Sequence, residues 1–353
     1  MTDQPTIRAA LDDVPAYRAG KAAPRGAFKL SSNENPYPPL PAVQAAINDA
    51  ASSVNRYPDF GSSLLLAAVA ELHGVSEEMV ALGAGSVALL AQAIQTVASV
   101  GDEVVLPWRS FEAYPILVAL AGSTAVKVAL RSDHTHDLGA MVDAITDRTR
   151  LVLLCSPNNP TGTVVGQREL EDFLARVSPD VAVAVDEAYI DFVQAPQKFD
   201  AVQLLADHPN LIVLRTFSKA YGLAGLRVGY ALAQRRLAAA LRKTQLPFGV
   251  TTVAQQAALA SLASRPQLMT RVAQLVIERD RVFEELTKLD VDCPRTHANF
   301  VWLPLAGETA EFAEQCSAAG VVVRPFAGDG IRVTIGEPQG NGLFLDVARA
   351  RFS

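Results

Sequence analysis

Lys219 stands in the run Thr216-Phe217-Ser218-Lys219-Ala220-Tyr221-Gly222-Leu223-Ala224-Gly225-Leu226-Arg227. A lysine amine attacks carbon only when it has lost its proton, so a reactive lysine needs a setting that disfavours the charge. Here Thr216 and Ser218 precede it or adjoin it, a small glycine-rich apolar stretch follows, and Arg227 lies eight positions on. Those groups suit a lysine that condenses with an aldehyde cofactor, because the phosphate of such a cofactor needs hydroxyls, amides and a guanidinium. The plain alternative is a surface lysine at the start of a helix.

Other segments supply matching parts. Asp186 closes the apolar run Val181-Ala182-Val183-Ala184-Val185. A carboxylate there is poorly hydrated and calls for a cationic partner, such as the protonated pyridine nitrogen of pyridoxal phosphate. Capping the following helix is its other reading. Tyr189, one helical turn on, can reach the ring's phenolic oxygen. Asn159, in Asn158-Asn159-Pro160-Thr161-Gly162, can do the same, although these residues also make an ordinary turn. Gly83-Ala84-Gly85-Ser86 opens an uncharged stretch and offers amides, with the Ser86 hydroxyl, as a phosphate cradle. A dinucleotide fold would also require an acidic residue at the end of a second strand, and Asp102 and Glu103 precede theirs instead. Phe111 or Trp108 can stack on a flat cationic ring. Arg332 and Arg324 lie in short apolar strands, where a guanidinium needs either a substrate carboxylate or an internal salt bridge.

The elements that would position these residues alternate. Glu103–Leu106, Ala125–Val128, Leu151–Leu154, Val181–Val185 and Leu211–Leu214 are near-continuous apolar runs, as expected of strands covered on both faces. Helical segments such as Leu170–Val177 and Ala201–His208 lie between them. The expected class is α/β, a mostly parallel sheet flanked by helices, with ligands gathered beyond the carboxyl ends of the strands. Met79–Val100 carries no charge and reads as a buried helix. A long helical pattern over Thr252–Leu289 precedes three short strand runs near 300, 321 and 331, which predicts a smaller α+β domain. The expected division is an N-terminal segment, 1–50, packing on the small domain; a large cofactor-binding domain, 51–248; and the small domain, 249–353.

Bulk properties narrow the function. The 353 residues carry a net charge of −6 and a pI near 5.5, so no basic stripe exists to neutralise nucleic-acid phosphates. The three cysteines, Cys155, Cys293 and Cys316, are scattered and lack metal-ligand spacing, which predicts free thiols, no metal and a reducing cytoplasm. The first twenty residues contain no apolar core, so no secretory leader is expected, and no stretch is apolar enough for a membrane span.

Together these segments resemble the fold type I pyridoxal-phosphate aminotransferases. More narrowly, they resemble the histidinol-phosphate aminotransferase subfamily and its actinobacterial aromatic amino acid (phenylalanine) members. The likeness rests on Ser31-Ser32-Asn33-Glu34-Asn35-Pro36, Asn55-Arg56-Tyr57-Pro58, Gly83–Ser86, Ser156–Gly162, Asp186–Tyr189, Thr216–Arg227, Thr296-His297-Ala298-Asn299-Phe300 and Arg332-Val333-Thr334. It implies that Lys219 makes the Schiff base to pyridoxal 5'-phosphate and shuttles the substrate proton, and that Asp186 pairs with the ring nitrogen. Tyr189 and Asn159 would contact the ring oxygen. Ser86, the amides of Ala84 or Gly85, Thr216, Ser218 and Arg227 would hold the phosphate. Tyr57 would reach the cofactor phosphate of a neighbouring subunit, which implies a homodimer with shared sites. Tyr17, Asn33 and Arg324 would meet the substrate, and Arg332 would clamp its carboxylate. Phe111, Phe248 and Phe326 near the mouth would favour a phenyl ring over a phosphate dianion, with 2-oxoglutarate as amino acceptor. Histidinol phosphate is the alternative substrate.

Overall fold

Burial on both faces accompanies four of the five expected strand runs, while the fifth, 124–129, forms an edge strand with exposed residues. The computed structural model describes Leu11, residues 14–17 and residues 20–352. In chain order the strands are β1 (Phe28–Lys29), β2 (Val80–Gly83), β3 (Glu103–Trp108), β4 (Thr124–Ala129), β5 (Thr149–Cys155), β6 (Ala182–Asp186), β7 (Leu211–Thr216), β8 (Gly229–Ala233), β9 (Phe300–Leu303), β10 (Val321–Val322), β11 (Arg324–Phe326) and β12 (Gly330–Thr334). Seven of them form one sheet in the order β2-β8-β7-β6-β5-β3-β4. β8 runs antiparallel to both neighbours and the other pairings are parallel.

The strands' alternation sorts their side chains into two layers. Leu151, Leu153, Ile212 and Leu214 pack with Leu89, Ile94, Tyr114 and Leu241 from helices on one face. Val152, Leu154, Val183 and Val213 pack with Leu170, Phe173 and Met141 on the other. The central strands β6 and β7 are buried almost throughout, whereas the edge strand β4 shows exposed residues.

Three expectations need correction. The stretch 79–100 is not one helix: Val80–Gly83 is strand β2, and the helix Ser86–Val97 begins only after Gly85, whose φ of 82° breaks the chain direction. Four residues ending in glycine carry too little pattern to announce a strand, and β8 is hidden for a similar reason. Ala201–Ala206 is a 3-10 turn rather than an α-helix. The long pattern after 252 is two helices, Thr252–Ala263 and Arg265–Lys288, divided at Ser264; Pro266 sits at the start of the second, where its missing amide costs nothing.

A second, three-stranded sheet has the order β11-β12-β9, and β1 pairs in parallel with β10. The segment before residue 40 is thereby fastened beside that sheet and crosses above the carboxyl ends of the large one. No helix among the described residues is long and apolar enough to cross a membrane.

Candidate active site

The loops after β2, β3, β5, β6 and β7 meet the segment 31–33 and strands β11 and β12 around a cavity of about 280 Å³. Its wall includes Lys219, Asp186, Tyr189, Asn159, Arg227 and Arg332. Residues gathered there span almost the whole chain.

Lys219 leaves the end of β7 and donates from Nζ to the carbonyls of Ser32 and Asn33, each at 3.2 Å. Desolvation, reinforced by the nearby Arg332 and Arg227 cations, pulls its amine down to about 7. An amine titrating near neutrality is a nucleophile and a proton carrier at once.

Asp186 is 7% exposed and ends β6. One carboxylate oxygen accepts from Tyr114 Oη at 2.9 Å, the other from the Ala188 amide at 3.1 Å. Both sequence readings are therefore present, since the carboxylate closes the following turn and also faces the cavity. Burial pushes it up to about 6 against the pull of those two donors. A cation placed against it would restore the ionised form.

Tyr189 follows in a turn rather than a helix. Its ring stands edge-on to Phe300, and its hydroxyl accepts from Asn33 Nδ2 at 2.9 Å. Accepting that bond leaves the phenolic proton to be donated elsewhere, and the cavity is the open direction. The Asn33 side chain is held from both ends here. Its backbone adopts φ 53°, and its Oδ1 accepts from Thr334 Oγ1 at 3.0 Å. Asn33 thus orients Tyr189 through its side chain and Lys219 through its carbonyl, and it lines the cavity. Asn159 spends its Oδ1 on Arg332 Nη1 at 2.5 Å.

The anion-holding corner is built by close approach. Gly85 precedes the helix Ser86–Val97, and its amide turns back onto the Gly83 carbonyl at 2.7 Å. The amides beyond it, from Ser86 onward, are the ones presented at the helix start. A Cβ on Gly85 would collide with the Arg227 guanidinium, and one on Gly229 would lie 2.8 Å from the Ser86 amide nitrogen. Arg227 also donates to Ser218 Oγ at 3.1 Å, and Thr216 Oγ1 accepts from the Ser218 amide.

Arg332 is 7% exposed, donates to Asn159 and to the Ser31 carbonyl at 2.9 Å, and makes no salt bridge among the described residues. Its Nε is buried without a partner there. A buried guanidinium donor with no acceptor is costly unless an anion completes it. Arg324 differs, since it is ion-paired with Glu112 at 2.6 Å and lies 5.5 Å from the Phe326 ring. The internal salt bridge is therefore the better reading for Arg324 in this state. Phe111 lines the cavity, with its ring edge-on to Tyr114 and 6.3 Å from Tyr17.

Two expected residues, Trp108 and Phe248, lie elsewhere, and Tyr57, expected at a neighbouring subunit's phosphate, lies outside the cavity of its own chain. Trp108 is held between the cations of Arg109 and Lys127, 4.5 and 4.4 Å from its ring, and faces a neighbouring cavity. Tyr57 is 82% exposed and stacks on Phe248 at 4.5 Å, outside its own chain's cavity. Phe248 is 39% exposed and is not among the residues that line this cavity. Tyr114, Ser31, Ser32 and Thr334 hold positions that sequence reasoning does not assign. The hydroxyl of Tyr114, set in the otherwise apolar Tyr114–Leu120, is the one available signal.

Residues 25–344 match the family described as aminotransferase class I and II. The chain belongs to that family. Among aminotransferases it is 54% identical over 346 residues to the "Aromatic amino acid aminotransferase" of Streptomyces avermitilis, covering 97% of this chain and 96% of that one. The protein of the same name from Thermobifida fusca is 54% identical over 348 residues, with 98% and 97% covered. The solved histidinol-phosphate aminotransferase of Sinorhizobium meliloti, in complex with pyridoxal-5'-phosphate, superimposes with a TM-score of 0.88 at 26% identity, covering 99% of both chains.

Aminotransferases of this family depend on pyridoxal phosphate, and the cavity fits it. The group needs one titratable amine, a buried acid opposite a ring nitrogen, a hydroxyl donor at the ring oxygen and an anion cradle that excludes Cβ atoms. Lys219, Asp186, Tyr189 and the Gly85–Ser86–Arg227 corner supply those four in turn.

Proposed function

We propose that this aminotransferase moves the amino group of an aromatic amino acid to 2-oxoglutarate and the reverse, as a homodimer in the cytoplasm. The observation that carries the aromatic reading is the composition of the wall opposite Lys219. Phe111 and Phe326 flank an arginine already matched by Glu112, so that wall is apolar and nearly neutral. A phosphate dianion buried there would lack the several donors it needs, whereas a phenyl ring finds edge and face partners. The printed names of the relatives at about half identity support the same reading.

Pyridoxal phosphate, when bound, supplies an electron sink for the bond to the substrate Cα hydrogen. Lys219 Nζ would take that hydrogen as a proton, as general base, and give it back as general acid, which its position near neutrality permits. Asp186 would hold a proton at the ring nitrogen. Tyr189 donates at the ring oxygen, with Asn159 beside it. Ser86, Thr216, Ser218 and Arg227 would bind the phosphate, with Gly85 leaving room for its approach, and Phe111 would cover the ring. Arg332 would orient the substrate carboxylate, with Nε as the donor that is still without a partner. Tyr17 and Arg324 border the substrate side chain, and Asn33 acts through Tyr189 and Lys219.

With purified enzyme and 2-oxoglutarate, phenylalanine is expected to exceed histidinol phosphate in kcat/KM by at least about tenfold, the cost of burying a dianion without matched donors. A preference for histidinol phosphate would replace this reading with the alternative.

The dimer reading rests on Tyr57, Phe60, Leu64, Leu246 and Phe248, a group of exposed large apolar side chains around one stacked pair. Covered by a second copy, this group brings Tyr57 to the partner's phosphate corner. Sedimentation equilibrium is expected to give twice the chain mass, and a monomer at micromolar concentration would refute the shared site. The domain division proposed with it is an N-terminal segment, 1–50, packing on the small domain, a large cofactor-binding domain, 51–248, and the small domain, 249–353.

A further inference from the structure

A transaminase of the proposed kind has to seat, in one cavity and by turns, a neutral aromatic side chain and an anionic one. A permanent cation in the wall favours the second and penalises the first, because a desolvated guanidinium beside a phenyl group has lost its water and gained no anion. Arg324 is that cation. It projects from β11 into the wall, 12% exposed in its side chain, close to the ring of Phe326. Glu112 comes from the other sheet's side, at the start of the helix Ala113–Leu120 and directly after Phe111. Its Oε2 accepts from Arg324 Nη2 at 2.6 Å, and its side chain is 32% exposed.

The two partners are unequal in their access to water. Arg324 is nearly enclosed, but Glu112 is a third exposed and has solvent to turn to. We propose that Glu112 is an exchangeable counter-ion that sets substrate specificity: it neutralises Arg324 while an aromatic side chain occupies the cavity and gives way when a dicarboxylate brings its own distal carboxylate. One wall then serves both half-reactions, with the exposed acid moving and the enclosed base staying. This inference deepens the proposed function and rests on it for the pair of substrates.

Two unreactive carboxylates, glutarate and 3-phenylpropionate, probe the device on the loaded enzyme by calorimetry, with no turnover required. In Glu112→Gln, glutarate is expected to bind about three- to tenfold more tightly, since no ion pair has to be broken, and 3-phenylpropionate about threefold or more less tightly. Glu112→Asp, which keeps the charge, is expected to return the ratio of the two affinities toward wild type. The kcat/KM values for 2-oxoglutarate and phenylalanine are expected to move apart in the same sense. A ratio that stays within about twofold of wild type in Glu112→Gln, or glutarate binding that weakens, overturns the inference. If the wild-type enzyme ignores phenylalanine, the aromatic reading falls by itself, and the inhibitor comparison still decides the role of Glu112.

Discussion

Lys219→Ala is expected to lower transamination by at least about 10⁴-fold in kcat, the combined loss of a nucleophile and a general acid–base group. The reason lies in what remains. The other cations among the described residues of the cavity are Arg227, Arg324 and Arg332, and a guanidinium neither condenses with an aldehyde nor gives up a proton near neutrality. Lys219 can do both because burial and the arginines Arg332 and Arg227 lower its amine to about 7. The sign for stability follows. Its folded value lies below the unfolded 10.5, so the charged form is disfavoured by folding. That cost is full below about pH 7 and disappears as the pH rises toward 10.5. The cofactor-free wild type is therefore expected to gain more in Tm than the variant between pH 7 and pH 10. Borohydride reduction followed by peptide mass analysis is expected to find cofactor mass on residue 219 of the wild type alone. Activity above about one per cent in the variant would remove Lys219 from the proton-carrying role.

Asp186→Asn is expected to push activity and stability in opposite directions. Asp186 has its folded value raised from 3.8 to about 6, so its contribution is neutral at low pH, turns unfavourable as the pH rises through that interval and stays so above it. A difference of that size amounts to roughly 3 kcal/mol at most. Asparagine keeps the shape and drops the charge. Its oxygen can still accept from the Ala188 amide, while its Nδ2 donates to a rotated Tyr114 hydroxyl. The cofactor-free variant should therefore melt higher at pH 7.5 by a few degrees, consistent with a gain of about 1–3 kcal/mol in a chain of this size. Its kcat should fall by about 10²–10³-fold, because nothing then holds a proton at the ring nitrogen. Paired melting and rate measurements test this, and a variant that loses both stability and activity would show that the carboxylate is structural.

A division between local and distant interactions explains how much of this was legible in the sequence. Five strands were legible because each is a near-continuous apolar run, whereas Val80–Gly83 and Gly229–Ala233 are short and rich in small residues. The chemical residues were legible because lysine, aspartate and arginine stand out in apolar or glycine-rich surroundings. Their partners were not. Tyr114 meets Asp186 across 72 residues, Asn33 meets Tyr189 across 156, and Glu112 meets Arg324 across 212. Nothing in local composition encodes such pairings, and they decide which polar groups are spent and which are available. Phe248 illustrates the converse: an aromatic residue in a loop looks the same whether it faces inward or, as here, lies beside the exposed Tyr57.

The bonds from Arg332 to the Ser31 carbonyl and from the Asn33 amide to Thr334 each close a loop of 301 residues. Such contacts are among the slowest to be won during folding, since chain entropy is surrendered long before they form. Synthesis must pass residue 334 before the carboxylate clamp, the lysine's resting place and the orienting amide for Tyr189 can exist together. An unfinished or nicked chain can hold much of its large sheet and still have no place for a substrate to sit. Catalytic competence in this protein thus waits on the meeting of residues 31–33 with residues 332–334.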